Sequence, residues 1–217
     1  MALAGAGYGN RTLMTWRKRI FDLFFASLLV VILSPVLLGL LVWLYFREGR
    51  PIFYVAERMK GPDEPFNLWK LRTMTVVDED SGVSGGDKQA RITETGAWLR
   101  RRRLDEFPQL WNILKGDLSF VGPRPPLREY VERYPDIYAE VLKSRPGVTG
   151  LATIVFHKHE DMLLSRCTTS EETDDIYARI CVPRKARLDL IYQRNQNVCF
   201  DFDLVFQTIG NLFRRSE

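Results

Sequence analysis

The feature that most constrains this chain is a single apolar run. From Ile20 to Phe46 it reads IFDLFFASLLVVILSPVLLGLLVWLYF, 27 residues interrupted only by Asp22, Ser27, Ser34, Pro35 and Gly39. As a helix it would extend roughly 40 Å, more than the ~30 Å hydrocarbon core of a bilayer requires. A buried helix of a soluble protein is seldom apolar on every face over such a length. A cleavable leader has an apolar stretch of ~7–15 residues ending in small side chains, and here Trp43, Tyr45 and Phe46 occupy that end. The run is a predicted membrane element.

Its topology is open at this level. Arg11, Arg17, Lys18 and Arg19 precede it and Arg47, Arg50, Arg58 and Lys60 follow it, so the positive-inside rule gives no orientation for a spanning helix. Ser34-Pro35 lies at the middle, where proline removes a backbone donor and bends a helix. The halves Ile20–Leu33 and Val36–Phe46 are each too short to cross alone. A kinked spanning helix and a helix that enters, breaks at Ser34-Pro35 and returns to the same face both satisfy the pattern. In either, the Ser34 hydroxyl can satisfy a carbonyl freed by the proline.

The remainder reads as one folded, polar-surfaced domain. Of 217 residues, 46% are hydrophobic and 27% charged, which excludes wholesale disorder and collagen-like sequence. The net charge of +4 is too small to name a partner, and three irregularly spaced cysteines argue against a disulfide framework. Short β-prone runs, Ile52–Val55 and Phe66–Leu71, flank Gly61-Pro62-Asp63 and predict a hairpin-like pair. The acidic, glycine-bearing stretch Val77–Ala90 predicts a loop. Helices are expected over Thr93–Arg103, over Pro108–Leu114 with Gly116 just past its end, and over Leu127–Leu142. Ser144–Gly150 reads as a loop, and the tail Asp203–Arg215 as an amphipathic helix, packed on the core or lying at a membrane interface.

Candidate chemistry concentrates in Arg100-Arg101-Arg102-Arg103-Leu104-Asp105-Glu106-Phe107-Pro108. Two adjacent carboxylates stand before a helix start, where the helix end and the arginines favour an ionised form. An ionised aspartate is a nucleophile toward phosphorus and a hard ligand for magnesium, and a second carboxylate can move a proton. Ordinary helix capping and a solvated arginine face explain the same residues. Lys70, Arg72, Arg124 and Arg145 lie on a strand or on Pro-flanked loops that suit phosphate recognition, and each also reads as a surface cation. No Walker loop or G-x-G-x-x-G occurs. His157, His159, Cys167, Cys181 and Cys199 lack the paired spacing of zinc ligands and read as core cysteines and surface histidines.

Taken together, these residues resemble the bacterial sugar transferase family, the monotopic phosphoglycosyl transferases acting on polyprenyl phosphate. The resemblance runs from Lys18-Arg19, Asp22 and Ser34-Pro35 through Gly49, Pro51, Phe53 and Arg58 to Phe66 and Lys70-Leu71-Arg72-Thr73-Met74. Its most specific block is continuous from Leu104-Asp105-Glu106-Phe107-Pro108 to Gly122-Pro123-Arg124-Pro125, followed by Arg145-Pro146-Gly147-Val148-Thr149-Gly150 and by Asp189 with Tyr192. It implies an α/β, helix-rich fold: a basic segment over residues 1–19, a re-entrant membrane helix over 20–46 broken at Ser34-Pro35, and a small cytoplasmic catalytic domain over 47–217 with interfacial amphipathic helices. It implies transfer of a phospho-sugar from a UDP-sugar to undecaprenyl phosphate at the cytoplasmic face of the bacterial inner membrane, with release of UMP, initiating a surface glycan that downstream glycosyltransferases extend. Asp105 would be the nucleophile and a magnesium ligand, Glu106 its proton-handling partner, and Lys70, Arg72, Arg100, Arg124 and Arg145 would contact phosphates or uridine. Membrane lipid is an expected partner and nucleic acid is not.

Two departures stand out. After Gly150-Leu151-Ala152 the chain continues Thr-Ile-Val-Phe-His-Lys-His, where many family members have Gln-Val-Asn-Gly-Arg, and Glu160–Arg184 falls outside the motifs. A membrane-tethered nucleic-acid module built on Arg100–Arg103 would have no need of Asp105-Glu106, and an inactive scaffold would not need to keep both carboxylates.

Overall fold

The computed structural model describes residues 15–77 and 86–214. Helix α1, Trp16–Glu48, is one uninterrupted helix of 33 residues with Pro35 inside it and Thr15 as its N-cap. The expected break at Ser34-Pro35 is therefore not an interruption of helical structure, and Arg17, Lys18 and Arg19 belong to the helix rather than to a preceding segment. The physical reason is visible at the proline. Ser34 Oγ donates a 2.9 Å hydrogen bond to the Val31 carbonyl, the acceptor that Pro35 cannot serve for want of an N–H. Residues 1–14 of the expected basic segment lie outside the described residues.

Both halves of α1 pack on the same domain. Toward the N-terminus, Lys18 Nζ bonds Asp201 Oδ2 at 2.5 Å and Tyr192 Oη at 2.9 Å. Asp22 Oδ1 accepts from Ser119 Oγ and from the Phe120 amide. Arg19 donates to the Ile113 and Leu114 carbonyls at 2.7 and 2.8 Å, a cation on the carbonyl end of a helix. Toward the C-terminus, Leu44 is buried with Leu71 and Leu99, and Arg72 donates 2.6 Å bonds to the Glu48 and Pro51 carbonyls. The outward face of α1, including Phe24, Val31, Val36, Leu38 and Phe46, is exposed and apolar.

Strands β1, Phe53–Gly61, and β2, Glu64–Leu71, form the expected antiparallel hairpin, turning at Pro62-Asp63. Residues 78–85 of the expected acidic loop lie outside the described residues, and Gly86–Arg91 forms a 3₁₀ turn. Helix α2, Glu94–Arg101, is capped by Thr93. A 3₁₀ turn at Leu104–Glu106 leads into helix α3, Gln109–Lys115, which ends at Gly116 in the left-handed conformation, φ 91°.

A second small sheet was not legible beforehand. Strand β3, Ser119–Val121, pairs in parallel with β4, Gly147–Thr149, inside the stretch expected to be a loop. The connection carries two helices where one was expected, α4, Arg128–Arg133, and α5, Pro135–Val141; Pro135 starts the second because it cannot continue the first. Helices α6, Leu151–Leu164, α7, Ser170–Ile176, and α8, Val182–Asn195, complete the domain, with a π-helical turn at Tyr177–Cys181 joining the last two. The largest core cluster lies among them, around Tyr130, Leu142, Phe156, Ala178 and Val182. Helix α9, Val198–Arg214, docks through buried Asp201 and Leu204 and leaves Phe206 and Ile209 exposed.

Candidate active site

The chain reaches the carboxylate pair through a strained residue. Arg103 adopts φ 54°, a left-handed conformation that costs a non-glycine residue roughly 1–2 kcal/mol. That reversal turns the end of α2 into the 3₁₀ turn carrying Asp105 and Glu106. On the far side, Asn112 of α3 is fully buried and locks the helix to the open edge of β2. Its Oδ1 accepts from the Trp69 amide and its Nδ2 donates to the Asn67 carbonyl at 2.8 Å. Lys70, next to Trp69, is thereby held facing Glu106.

The two carboxylates meet different surroundings. Glu106 is ringed by cations: Lys70 Nζ at 3.6 Å, Arg103 Nη1 at 3.3 Å and Arg124 Nη1 at 3.9 Å. Burial alone would raise its pKa, but Lys70, Arg124 and Arg103 together outweigh that and hold it below the usual carboxylate value. Asp105 is 8% exposed and has no partner side chain within hydrogen-bond or ion-pair distance among the described residues. Burial, and then repulsion from Glu106, raise its pKa against the opposing pull of Lys70 and Arg100. Lys70 is shifted down by burial, partly offset by Glu106. One carboxylate is clamped by cations; the other is buried, without a partner side chain among the described residues, and more basic.

The arginine run does not form one surface. Arg100 donates from Nε to Thr73 Oγ1 at 2.8 Å and bears electrostatically on Asp105, while Arg103 holds Glu106. Arg102 instead stacks over Trp98, and Arg101 is exposed. Of the other expected cations, Lys70 and Arg124 join the pair. Arg72 does not: its Nε and Nη2 donate to the Pro51, Glu48 and Gly49 carbonyls at the end of α1. Arg145 lies beside Arg19 at Gly116, the opposite end of α3 from the pair, and its buried Nη1 has no hydrogen-bond partner among the described residues.

Residues that sequence reasoning had not assigned to the site complete its far wall. Arg58 of β1 is pushed below its usual pKa by burial and by neighbouring Arg124, a pair of guanidinium groups suited to an anion. Arg124 also feels Glu160 and Tyr177, and both of these bond Lys185, at 2.9 and 3.3 Å. Asp189 adjoins this group, its carboxyl pushed up to about 7 by burial despite Lys185. Arg58 and Asp189 carry part of the family resemblance, the one signal that could have found them. Glu160 and Lys185 carry none. His159 contacts Arg184, Cys167 and Cys181 are buried, and Cys199 is exposed.

The amino-acid sequence matches a known family and several known proteins. The sequence profile of the family described as bacterial sugar transferase matches residues 13–215. The chain is 30% identical over 196 residues to the UDP-glucose:undecaprenyl-phosphate glucose-1-phosphate transferase of Klebsiella pneumoniae, covering 88% of this chain and 39% of that protein. It is 31% identical over 208 residues to the exopolysaccharide production protein ExoY of Rhizobium meliloti, covering 88% and 83%. It is 39% identical over 118 residues to a putative undecaprenyl-phosphate N-acetylgalactosaminyl 1-phosphate transferase of Bacillus subtilis, covering 54% and 66%. The chain thus spans about two fifths of the length of the Klebsiella protein.

Proposed function

The chain belongs to the bacterial sugar transferase family, and on that premise we propose that it transfers a phospho-sugar from a UDP-sugar to undecaprenyl phosphate and releases UMP. The observation that carries this reading is the division of labour in the acidic pair: Asp105 unpaired among the described residues and more basic, Glu106 clamped by Lys70, Arg103 and Arg124. An Asp105 oxygen attacks the sugar-bearing phosphorus. The anhydride bond breaks, UMP departs with the bridging oxygen, and an aspartyl phosphosugar remains. An oxygen of the lipid phosphate then attacks the same phosphorus and frees Asp105. Glu106, held ionised, is placed to accept the proton of the incoming lipid phosphate. Arg100 and Arg124 have free donors for pyrophosphate oxygens, and Arg58 adds a third guanidinium nearby. Arg72 and Arg145 act on this reading through α1 and α3 rather than on substrate.

The residues present fit magnesium. That ion keeps several waters and binds through one or two carboxylates plus substrate phosphates rather than an all-protein cage, and Asp105 is an unpaired carboxylate beside a phosphate site. When bound it supplies charge stabilisation on the phosphate oxygens.

The membrane reading is monotopic, at the cytoplasmic face of the inner membrane. It is supported by α1, which is long and apolar enough to cross yet docks both halves on one domain, so neither end is free to sit across a bilayer. α9, with Phe206 and Ile209 exposed, would lie at the interface. Labelling of Asn10→Cys from the periplasmic side of intact cells would overturn it. The product lipid-linked sugar is a substrate for glycosyltransferases that extend it.

The chemistry is tested with radiolabelled UDP-sugar and no acceptor. Wild-type protein becomes labelled and releases UMP, Asp105→Asn does neither, and Glu106→Gln still becomes labelled but, once the lipid phosphate is added, turns over about two to four orders of magnitude more slowly. Ternary-complex kinetics together with an active Asp105→Asn protein would remove the covalent intermediate.

A further inference from the structure

Next to the acidic pair lies an apolar cavity that the chemistry above does not use. Its volume is about 360 Å³, and its lining holds no charged side chain. Leu37 and Leu41 of α1 form one wall, Phe53 and Trp69 of the hairpin another, and Phe107 and Trp111 a third. It is not a closed core void: Trp111 is 57% exposed. The α1 wall is continuous with the exposed apolar side chains Val36, Leu38 and Val42.

The chain passes between charged site and cavity within a single residue at two places. Glu106 meets Lys70, whereas Phe107, the next residue, lines the cavity. Lys70 in turn follows Trp69 on β2, and successive strand residues face opposite sides, so the ammonium points to the carboxylate and the indole to the cavity. A ligand engaging both must carry an anionic head on an apolar tail.

We propose that this cavity receives the phosphate-proximal isoprene units of the lipid acceptor and delivers its phosphate to Asp105. The inference rests on the transfer reaction proposed above. A volume near the lower end of the ~300–1,000 Å³ range of small-molecule sites admits only the first part of a long chain, and the rest stays in the bilayer beside α1. Acceptor recognition then depends on the units next to the phosphate and little on total chain length.

The test uses the full chain in lipid nanodiscs and separates the two half-reactions. Leu37→Trp, which fills the cavity, raises KM for undecaprenyl phosphate at least tenfold, while UMP release and protein labelling without acceptor stay at wild-type rates. Phe53→Ala, which widens it, raises the same KM less and carries the test if Leu37→Trp also loses labelling through misfolding. A short polyprenyl phosphate bearing a diazirine on its second isoprene unit crosslinks to peptides containing Leu37 or Trp111, and undecaprenyl phosphate competes while a bilayer phospholipid does not. Unchanged lipid KM in both variants, or crosslinks confined to other segments, would exclude the cavity as the lipid site. Failure of the transfer reading itself looks different: wild-type protein would release no UMP, and the crosslink, which needs no turnover, would still report on the cavity.

Discussion

Lys70 Nζ stands 3.6 Å from Glu106 Oε1, and among the described residues no equivalent cation pairs with Asp105, one residue away. This asymmetry sets a pH dependence. On the proposed mechanism Asp105 must be ionised to attack, and its pKa is raised by burial and then by Glu106, so UMP release is expected to show an acid limb above the ordinary aspartate range. Glu106→Gln removes the repelling charge and moves that limb to lower pH. Lys70→Met removes a cation that favours ionised Asp105 and moves it to higher pH. The check is the pH profile of acceptor-independent UMP release in the three proteins; coincident limbs would mean that Asp105 is not the titrating group.

Arg103→Gly separates strain from charge. Glycine adopts φ 54° without the side-chain clash, so the variant gains up to about 1 kcal/mol, or about 2–4 °C in thermal unfolding for a chain of this size. It also loses the 3.3 Å contact to Glu106, so turnover falls. A variant that is both less stable and fully active would contradict both halves of the argument.

The local part of this architecture was readable in the sequence, and the part built by distant contacts was not. The hairpin followed from β-prone runs around Gly61-Pro62-Asp63, and α3 from Pro108 and Gly116. The parallel pair β3–β4 escaped because each strand is three residues long and Ser144–Gly150 has the composition of a turn. The glycines of that stretch serve close approach instead: a Cβ on Gly147 would sit 2.2 Å from the Gly122 amide nitrogen, and one on Gly150 2.1 Å from the Gly122 carbonyl oxygen. The Asp105-Glu106 pair stood out as adjacent residues. That Arg72 secures the end of α1 and that Lys185 reaches Glu160 depend on partners more than twenty positions away, which no local pattern encodes.

Asn112→Ala leaves the Trp69 amide and the Asn67 carbonyl without their side-chain partner at a partly buried edge. An unsatisfied buried group costs about 1–3 kcal/mol; with both groups only partly buried, the variant loses on the order of 2 kcal/mol of stability and unfolds at lower temperature. Because the same contact places Lys70, UMP release falls even where the variant remains folded. Circular dichroism melts beside the half-reaction assay decide the point, and a variant as stable as wild type would refute the edge contact.

On the proposed mechanism turnover is expected to depend on a divalent cation, because Asp105, without a partner side chain among the described residues, lies beside cations that suit a pyrophosphate. Excess EDTA abolishes UMP release and added magnesium restores it. Undiminished turnover in EDTA would leave the arginines as the sole source of charge stabilisation.

Asp189 gives a stability prediction independent of turnover. Its carboxyl is pushed up to about 7 by burial, from an ordinary 3.8, so folding favours its protonated form. A raised carboxyl pKa costs nothing below the unfolded value; the cost grows as pH rises from about 4 and is complete above about 7. Asp189→Asn keeps the shape and cannot ionise, so its stability relative to wild type improves between pH 5 and pH 8. The improvement is on the order of a few kcal/mol, at about 1.4 kcal/mol per pKa unit. Lys185 retains Glu160 as its partner at 2.9 Å, so the substitution does not strand a buried cation. Thermal unfolding of both proteins at the two pH values measures the difference. A gap between them that does not widen with pH would mean that Asp189 is already ionised at pH 5 in the folded protein.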